Sequence, residues 1–240
     1  PTGQLVVKPV PYGFTVNPTQ RTVTVTSGKT TGNVNFSLSS LHSFPTGLQL
    51  VSLPYDYSTV DPATLLGVPP ANLLMATWEA SAQRYRLYPQ APADRFRLGS
   101  GYWMRLTSLV DLMTQGQSAP SPMPVSLGPG WNLVGDPFTS VTDFYSVTVE
   151  DRTGVTYSVQ QALSSGLLQS GLFVYALGGY QNASVLTPWV GAWLKTSDNV
   201  TLHVTKTAGT AAANVERPAV STPKDGWLTS LEVSAGQLLD

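Results

Sequence analysis

Tryptophan side chains are the first candidates for chemistry, because their rings can stack on the faces of sugars. The chain carries six tryptophans, while only 11 % of its residues are charged. Trp103, Trp131 and Trp193 lie inside repeated apolar phrases, which favours a place for them in the core. Trp78 and Trp189 lie outside those phrases. We therefore predict Trp78 and Trp189 as the candidate glycan-binding residues of a carbohydrate-binding surface.

Carboxylates are the second candidates, since a pair of them suffices for glycoside hydrolysis. The acidic residues available for such a pair are Glu79, Asp94, Asp143, Glu150 and Asp151. They lie in no suggestive context, and Glu150-Asp151 precedes Gly154 in a pattern typical of a hairpin turn. The sequence contains neither a Gly-x-Ser-x-Gly elbow nor a phosphate-binding or dinucleotide-binding glycine motif. We predict that the protein is not an enzyme.

Metal and cofactor sites are not predicted either. His42 and His203 lack Asp or Glu neighbours at the spacing of metal ligands, and the chain contains no cysteine. The absence of cysteine excludes thiolate ligands and a cysteine nucleophile. The sequence therefore predicts no catalytic residue, no metal ligand and no cofactor.

Two short stretches mix cations with aromatic rings, as single-stranded nucleic-acid binders do. They are residues 84–88, Arg-Tyr-Arg-Leu-Tyr, and residues 95–97, Arg-Phe-Arg. Alternation on a strand would place the arginines of the first stretch on one face, and this is also typical of a solvated hairpin. The net charge of the chain is −1. We favour the hairpin and predict no nucleic-acid partner.

Composition indicates a secreted β-protein. Apolar residues make up 42 % of the 240 residues, enough for a sizeable core. With so few charges, the polar surface must consist of Ser, Thr, Asn, Gln and Gly, which alternate with apolar residues in strands. No run of 18 apolar residues occurs, so we predict no membrane span.

The elements that must position these residues come from an internal duplication. Residues 47–54 and residues 130–137 each begin with glycine, continue through an apolar strand and end with proline. A second phrase, Gly-x-Trp followed by apolar residues, closes each unit at residues 101–106 and 191–196. The opening phrases start 83 residues apart and the closing phrases 90. We predict a duplicated β domain over residues 47–204, with half-repeats at 47–114 and 125–204.

The duplicated phrases resemble a repeat of multidomain, secreted or cell-surface bacterial proteins. Gly130-Trp131-Asn132-Leu133 opens the better-preserved copy, and Gly191-Ala192-Trp193 closes it. The resemblance implies location and architecture and brings no biochemical activity. Between the phrases, Asp61 before Pro62 has the signature of a helix N-cap, and Val159 to Leu168 is typical of a second short helix.

Residues 3–38 read as four short strands, at 3–8, 13–16, 21–26 and 33–38. Their order, Leu-Val-Val-Lys-Pro, Tyr-Gly-Phe-Thr-Val-Asn-Pro, Arg-Thr-Val-Thr-Val and Asn-Val-Asn-Phe, resembles the final strands of a family of extracellular immunoglobulin-like modules. This family is the carboxypeptidase-regulatory-like or collagen-adhesin B type. The resemblance implies a partial immunoglobulin-like β module over residues 1–40 with exposed strand edges.

The predicted fold is thus mainly β: an immunoglobulin-like partial sandwich, then a tandem-repeat β-sandwich or barrel with one or two short helices. A small-residue linker over 205–225 leads to an alternating strand within 226–240. That strand reads either as a segment donated to a neighbour or as the start of a further domain.

Function is predicted from this architecture. The leading hypothesis is a non-catalytic extracellular structural protein, a subunit or segment of a bacterial surface or fibre assembly built by β-strand complementation. Its partners would be copies of itself or adjacent domains of the same polypeptide, with roles in filaments or adhesion. The predicted subunit-contact residues lie in the two terminal strands: Leu5, Val7, Trp227, Leu231 and Val233. The alternative is a carbohydrate- or surface-binding module of a larger secreted protein.

Overall fold

The structure is a computed structural model that describes residues 2–9, 14–32 and 34–206. These residues form two compact units. One unit holds the N-terminal strands up to His42 together with Leu112–Thr114, and the other holds Ser43–Asp111 and residues 115–206. The predicted linker beyond residue 206 and the predicted terminal strand, with Trp227, Leu231 and Val233, lie outside the described residues.

The described chain is mainly β, as predicted. In chain order the strands are β1 Thr2–Val7, β2 Phe14–Asn17, β3 Arg21–Thr26, β4 Ser37–Ser40, β5 His42–Phe44, β6 Gly47–Ser52, β7 Leu74–Glu79, β8 Arg84–Leu87, β9 Gly101–Leu106, β10 Val110–Leu112, β11 Met123–Leu127, β12 Gly130–Gly135, β13 Thr142–Asp143, β14 Thr148–Asp151, β15 Thr156–Ser158, β16 Leu172–Ala176, β17 Gly179–Ala183, β18 Val185–Leu186, β19 Gly191–Thr196 and β20 Val200–Val204. Apart from the pairing of β5 with β10, the pairings between these strands are antiparallel.

Two short helices interrupt the strands, each fixed by its own cap. Helix α1 spans Pro62–Leu66, where the Asp61 carboxylate accepts the Thr64 N–H and Gly67 closes the helix in the left-handed region. Helix α2 spans Val159–Ser164 and begins with a capping box between Ser158 and Gln161. The helix ends at Ser164, four residues earlier than the predicted Leu168. Short 3₁₀ turns cover Pro70–Asn72, Ala80–Ala82 and Phe144–Ser146.

In the N-terminal unit, β1 pairs with β3 and β2 with β4. The predicted strand over 33–38 was wrong in its position, since the strand observed there is β4, Ser37–Ser40. The physical reason is the pairing register, because the four residues of β2 lie opposite Ser37–Ser40. The carbonyl oxygen of Asn35 accepts the Arg21 guanidinium at 2.7 Å.

The four repeated phrases form four strands with matching partners. β6 pairs with β9 so that Leu50 lies opposite Trp103, and β12 pairs with β19 so that Leu133 lies opposite Trp193. Each pair continues into a middle strand and then a hairpin strand, in the orders β6-β9-β7-β8 and β12-β19-β16-β17. The two four-stranded sheets thus have the same strand order, as an internal duplication predicts.

The second half carries a larger flanking sheet. Strands β11 and β20 pair with each other and flank the central sheet of the second half in sequence, as the paired strands β5 and β10 flank that of the first half. In the second half, β14 and β15 extend the flanking pair into a four-stranded sheet of order β11-β20-β14-β15. The inserted segment between β12 and α2 therefore enlarges one half-repeat only.

The two halves meet where their opening and closing strands cross. The Ser52 N–H donates to the carbonyl of Trp189 at 3.3 Å, and the Gly135 N–H donates to the carbonyl of Gly99 at 3.0 Å. Residues 52 and 135 differ by 83 positions and residues 99 and 189 by 90, which are the two offsets of the repeat. These two bonds are thus equivalent, and the halves are related by an approximate two-fold axis through this crossing.

Trp189 occupies a glycine-like position at this crossing. Its φ is +69°, close to the +73° of the equivalent Gly99. A side chain in the left-handed region is strained and needs support from its surroundings. The Trp189 ring packs against Phe44 and Tyr55, with ring centroids 6.2 and 6.1 Å apart.

Candidate functional site

Each central sheet presents one face to its own apolar core and an aromatic face to the other sheet. In β19, Ala192 and Leu194 belong to the core of the second half, while Trp193 points the other way. In β9, Met104 is fully buried on the core side and Trp103 lies on the aromatic face. The aromatic faces are therefore built by strand alternation within the repeated phrases.

Pairing register defines which aromatic positions are equivalent in the two halves. Ala76 and Phe173 each lie opposite the closing tryptophan of their sheet, so Trp78 and Tyr175, two residues further along their strands, are equivalent. In the hairpin strands, Tyr85 lies opposite Trp78, and Tyr180 lies opposite Tyr175. Each half thus presents three rings in the same arrangement: the closing tryptophan, a ring on the middle strand and a ring on the hairpin strand.

The rings of the two halves contact one another in symmetric pairs. The centroids of Trp193 and Trp78 are 5.9 Å apart, and those of the equivalent pair, Trp103 and Tyr175, are 4.9 Å apart. Trp193 also lies 6.4 Å from Tyr85, and Trp103 lies 6.5 Å from Tyr180. All four contacts have the edge-to-face geometry that aromatic pairs prefer. The network holds the two sheets together.

On one side of this network the rings surround an open cleft of about 400 Å³. Its lining consists of aromatic side chains alone: Trp78, Tyr85, Trp131, Phe173, Tyr180 and Trp193. The volume is in the range of small-ligand sites. Tyr85 and Tyr180 are 46 % and 57 % exposed, so their rings remain accessible from solvent.

The aromatic lining is asymmetric because the two halves differ at two equivalent positions. The counterpart of Trp131 in the first half is Leu48, 83 residues earlier, and the counterpart of Phe173 is Ala76. The Trp131 ring lies 6.0 Å from both Phe173 and Trp193. The first half has no rings at the corresponding places, so the aromatic lining belongs to one side of the approximate two-fold axis.

Polar groups at the cleft are few. The Lys195 ammonium lies 5.8 Å from the centroid of the Trp131 ring, within cation–π range. Burial raises the pKa of the Tyr85 hydroxyl above its ordinary value. The indole N–H of Trp78 is buried and has no hydrogen-bond partner within the described part of the chain. The site therefore offers ring faces, phenolic hydroxyls and one ammonium group.

The structure separates the two tryptophans that the sequence put forward for glycan binding. Trp78 lines the cleft, whereas Trp189 is not part of its lining and packs against Phe44 and Tyr55. Trp131 and Trp193, which the sequence favoured for the core, both line the cleft, although Trp193 is only 8 % exposed. Trp193 lies opposite Phe173, whereas Trp131 lies opposite Lys195, so strand pairing gives an aromatic signal for Trp193 alone of the two.

The predicted N-terminal contact residues lie on β1. Leu5 is 43 % exposed and lies opposite Val23, while Val7 is half-buried and lies opposite Arg21. On the other face of the same strand Val6 is 50 % exposed. Two apolar side chains of this strand are thus accessible, one on each face.

The candidate carboxylates all have local partners. Glu79 pairs with Arg84 and Arg86 across the β7–β8 hairpin, and Asp94 pairs with Arg95 and Arg97. The Arg86 guanidinium, with a smaller effect from Arg84, stabilises the ionised form of Glu79 and holds the pKa of this carboxyl below its usual range.

The remaining carboxylates close turns or pair with histidine. Asp143 caps a 3₁₀ turn by accepting the Tyr145 N–H, and Glu150 contacts the His203 ring nitrogen at 2.7 Å. In the β14–β15 turn, the pKa of Asp151 is lowered to about 2, mainly because the Thr153 hydroxyl donates a hydrogen bond to its carboxylate. None of the carboxylates predicted as candidates lines the cleft.

Across residues 2–9, 14–32 and 34–206, no group of three or more His, Cys, Asp or Glu is placed to hold a metal ion. In the same part of the chain no helix is long and apolar enough to cross a membrane. Comparison of the chain with protein-family models, with curated proteins and with solved structures gives no match. The argument for function therefore depends on the site itself.

Proposed function

We propose that the protein is a non-catalytic carbohydrate-binding module of an extracellular bacterial protein, and that the aromatic cleft is its binding site. The observation that carries this proposal is a solvent-open cleft lined by six aromatic rings. A cleft of this volume with a predominantly aromatic lining is typical of small-ligand sites.

The chemistry of the lining suits a sugar. A pyranose ring has an apolar face of C–H groups, which packs on an aromatic ring, and a rim of hydroxyl groups that needs hydrogen-bond partners. The indole and phenol rings offer the faces, and the exposed Tyr180 brings a phenolic hydroxyl to the lining. Preformed edge-to-face packing between the rings would reduce the entropy lost on binding.

A non-catalytic role is proposed because the candidate carboxylates lie elsewhere. Glu79 and Asp94 hold arginines, Asp143 and Asp151 stabilise turns, and Glu150 contacts His203. Glycoside hydrolysis needs two carboxyl groups facing the bound sugar.

The test replaces cleft residues by their counterparts from the other half-repeat. Trp131→Leu and Phe173→Ala install residues that the first half carries at equivalent positions, so the fold should tolerate them. We expect each to weaken binding at least tenfold, since stacked aromatic anchors dominate such sites. Calorimetric titration of the full chain with a panel of neutral and acidic polysaccharides measures this.

Tyr145→Ala is the matched control, because it removes an exposed ring that does not line the cleft. This variant should bind as the unmodified chain does. If no polysaccharide in the panel binds, or if Trp131→Leu binds as tightly as the unmodified chain, the proposal is wrong.

Assembly through terminal strands is a second candidate function, favoured by one observation. Among the described residues β1 pairs with β3 alone, and it exposes Leu5 and Val6. A strand with one open edge and accessible apolar side chains can accept a further strand. We propose that a bacterial surface or fibre assembly could use this edge, with the cleft serving adhesion.

A further inference from the structure

The aromatic faces carry positive charge and no negative charge. Paired residues on antiparallel strands share a face, so the pairing registers assign each side chain to a face. The charged residues that share the face of the closing tryptophans are Arg105 in the first half and Lys195 in the second. In strands β6 to β9 the carboxylate of Glu79 belongs to the opposite face from Trp78, its neighbour in β7.

Lys195 is the cation at the cleft itself. Its ammonium lies over the Trp131 ring, and in the described part of the chain no carboxylate forms an ion pair with it. Its side chain is half-buried against the aromatic face. The ammonium therefore retains donor capacity and an uncompensated charge beside the rings.

We propose that the cleft selects acidic polysaccharides whose uronic-acid carboxylate pairs with Lys195, an inference that rests on the proposed function. A sugar ring stacked on Trp131 would bring its substituents next to the ammonium. A carboxylate there would accept a charge-assisted hydrogen bond, which is stronger than the bond that a neutral hydroxyl offers. The same ammonium would repel a cationic ligand.

The experiment compares polymers that differ only in charge. The full chain is titrated with polygalacturonate and with alginate, and each is compared with its carboxyl-reduced form, which keeps the sugar backbone and loses the carboxylates. We expect at least one acidic polymer to bind about tenfold more tightly than its reduced form at low salt. Because the charges lie near the surface, the preference should shrink in about 1 M salt.

Lys195→Met should lower the ratio of acidic to neutral affinity from about ten to about one, since the variant keeps the length of the side chain and loses its charge. Arg105→Met is the matched control, because it removes the equivalent cation of the first half, which lies opposite Leu48, whereas Lys195 lies over Trp131 of the cleft lining. We expect the ratio of this variant to stay at about ten. Circular dichroism checks that both variants fold.

Three results would overturn the inference. If the neutral forms bind as tightly as the acidic forms through a Trp131-dependent site, charge selection is wrong and carbohydrate binding stands. If the acidic preference persists in Lys195→Met, the carboxylate does not pair with this residue. If neither form binds and no other polysaccharide does, both the inference and the proposed function fail.

Discussion

Asp136 shows how one residue changes the chemistry of a repeat position. Its counterpart in the first half, 83 residues earlier, is Leu53, and both side chains are buried, with 0 % and 1 % exposed. The Asp136 carboxylate accepts the N–H groups of Phe138 and Thr142, at 2.9 and 3.1 Å, and the Thr142 hydroxyl at 3.2 Å. It thus fixes the turn that leads into the inserted segment of the second half.

This carboxyl should make stability depend on pH. Burial raises the pKa of Asp136 to about 7, against 3.8 for the ordinary group, although its three hydrogen bonds oppose the change. Because the folded-state pKa lies above the unfolded one, the protonated carboxyl stabilises the fold in full below pH 4. This stabilisation is lost as the pH rises to about 7. The loss is on the order of 4 kcal/mol by the conversion of pKa differences to free energy.

Asp136→Asn, which has the same shape and does not ionise, should remove this part of the pH dependence. Urea unfolding at pH 4, 5.5 and 7 measures the difference in the free energy of unfolding between the variant and the unmodified chain. Asp143→Asn, at an exposed turn, serves as the control and should leave the dependence in place. A difference that is constant from pH 4 to pH 7 would contradict the prediction.

At the scale of elements, the crossing of β6 and β12 explains a difference between two otherwise similar phrases. Ser52 and Gly135 are equivalent positions that meet at the approximate two-fold axis. A Cβ on Gly135 would lie 2.1 Å from the Cβ of Ser52, so only one of the two can carry a side chain. The Ser52 hydroxyl uses the space to donate to the carbonyl of Val190 at 3.0 Å. Two copies that both carried a side chain at this position could not cross in this way.

Gly135→Ala should therefore destabilise the fold by about 1–3 kcal/mol, the usual cost of overpacking. Ser52→Gly in the same chain should recover most of this loss, because it removes the Cβ that the new methyl group meets. Chemical unfolding of the single and double variants measures the coupling between the two positions.

Gly179→Ala is the control for this pair, since nothing lies within 4 Å of a Cβ at that position in β17. We expect it to change stability by less than about 1 kcal/mol. Equal effects of Gly135→Ala with and without Ser52 would show that the two residues do not compete for space.

At the scale of the whole molecule, the two half-repeats depend on each other. Each central sheet covers the aromatic face of the other, as the contacts of Trp193 with Trp78 and of Trp103 with Tyr175 show. A half-repeat alone would expose these faces. The Ser43–Asp111 and 115–206 parts of the second unit therefore form one cooperative body, and the cleft lies within it.

Assembly of whole molecules is predicted to depend on the terminal strands. Leu5→Lys places a charge on β1, which discourages edge-to-edge pairing, and deletion of 225–240 removes the predicted donor strand. Each change should abolish filaments in negative-stain electron microscopy and leave a monodisperse monomer in light scattering. Val155→Lys is the control, because it places the same charge at an exposed apolar side chain outside β1, which is 49 % exposed. This variant should leave the filaments intact. Filaments that persist without residues 225–240, or a monomeric unmodified chain, would contradict the prediction.

The sequence by itself determined the class of fold and many of the local elements. Period-two alternation, glycine-led phrases and the cap at Asp61 are local signals, because a strand or a helix end depends mainly on neighbouring residues. The mainly β architecture was predicted from them and is confirmed, and the strands observed at β6, β9, β12 and β19 cover the repeated phrases. The displaced strand at Ser37–Ser40 is an exception, since its position depends on pairing with Phe14–Asn17, a strand that is distant in sequence.

Only the tertiary structure decided which rings form the site. Pairing of Leu50 with Trp103, 53 residues apart, and the crossing at Ser52 and Gly135 bring the two aromatic faces together. The repeated phrases favoured Trp131 for the core and Trp189 for the surface, whereas Trp131 lines the cleft and Trp189 packs against Phe44 and Tyr55. Their difference arises from contacts between distant strands, and such contacts depend on how the two halves pack.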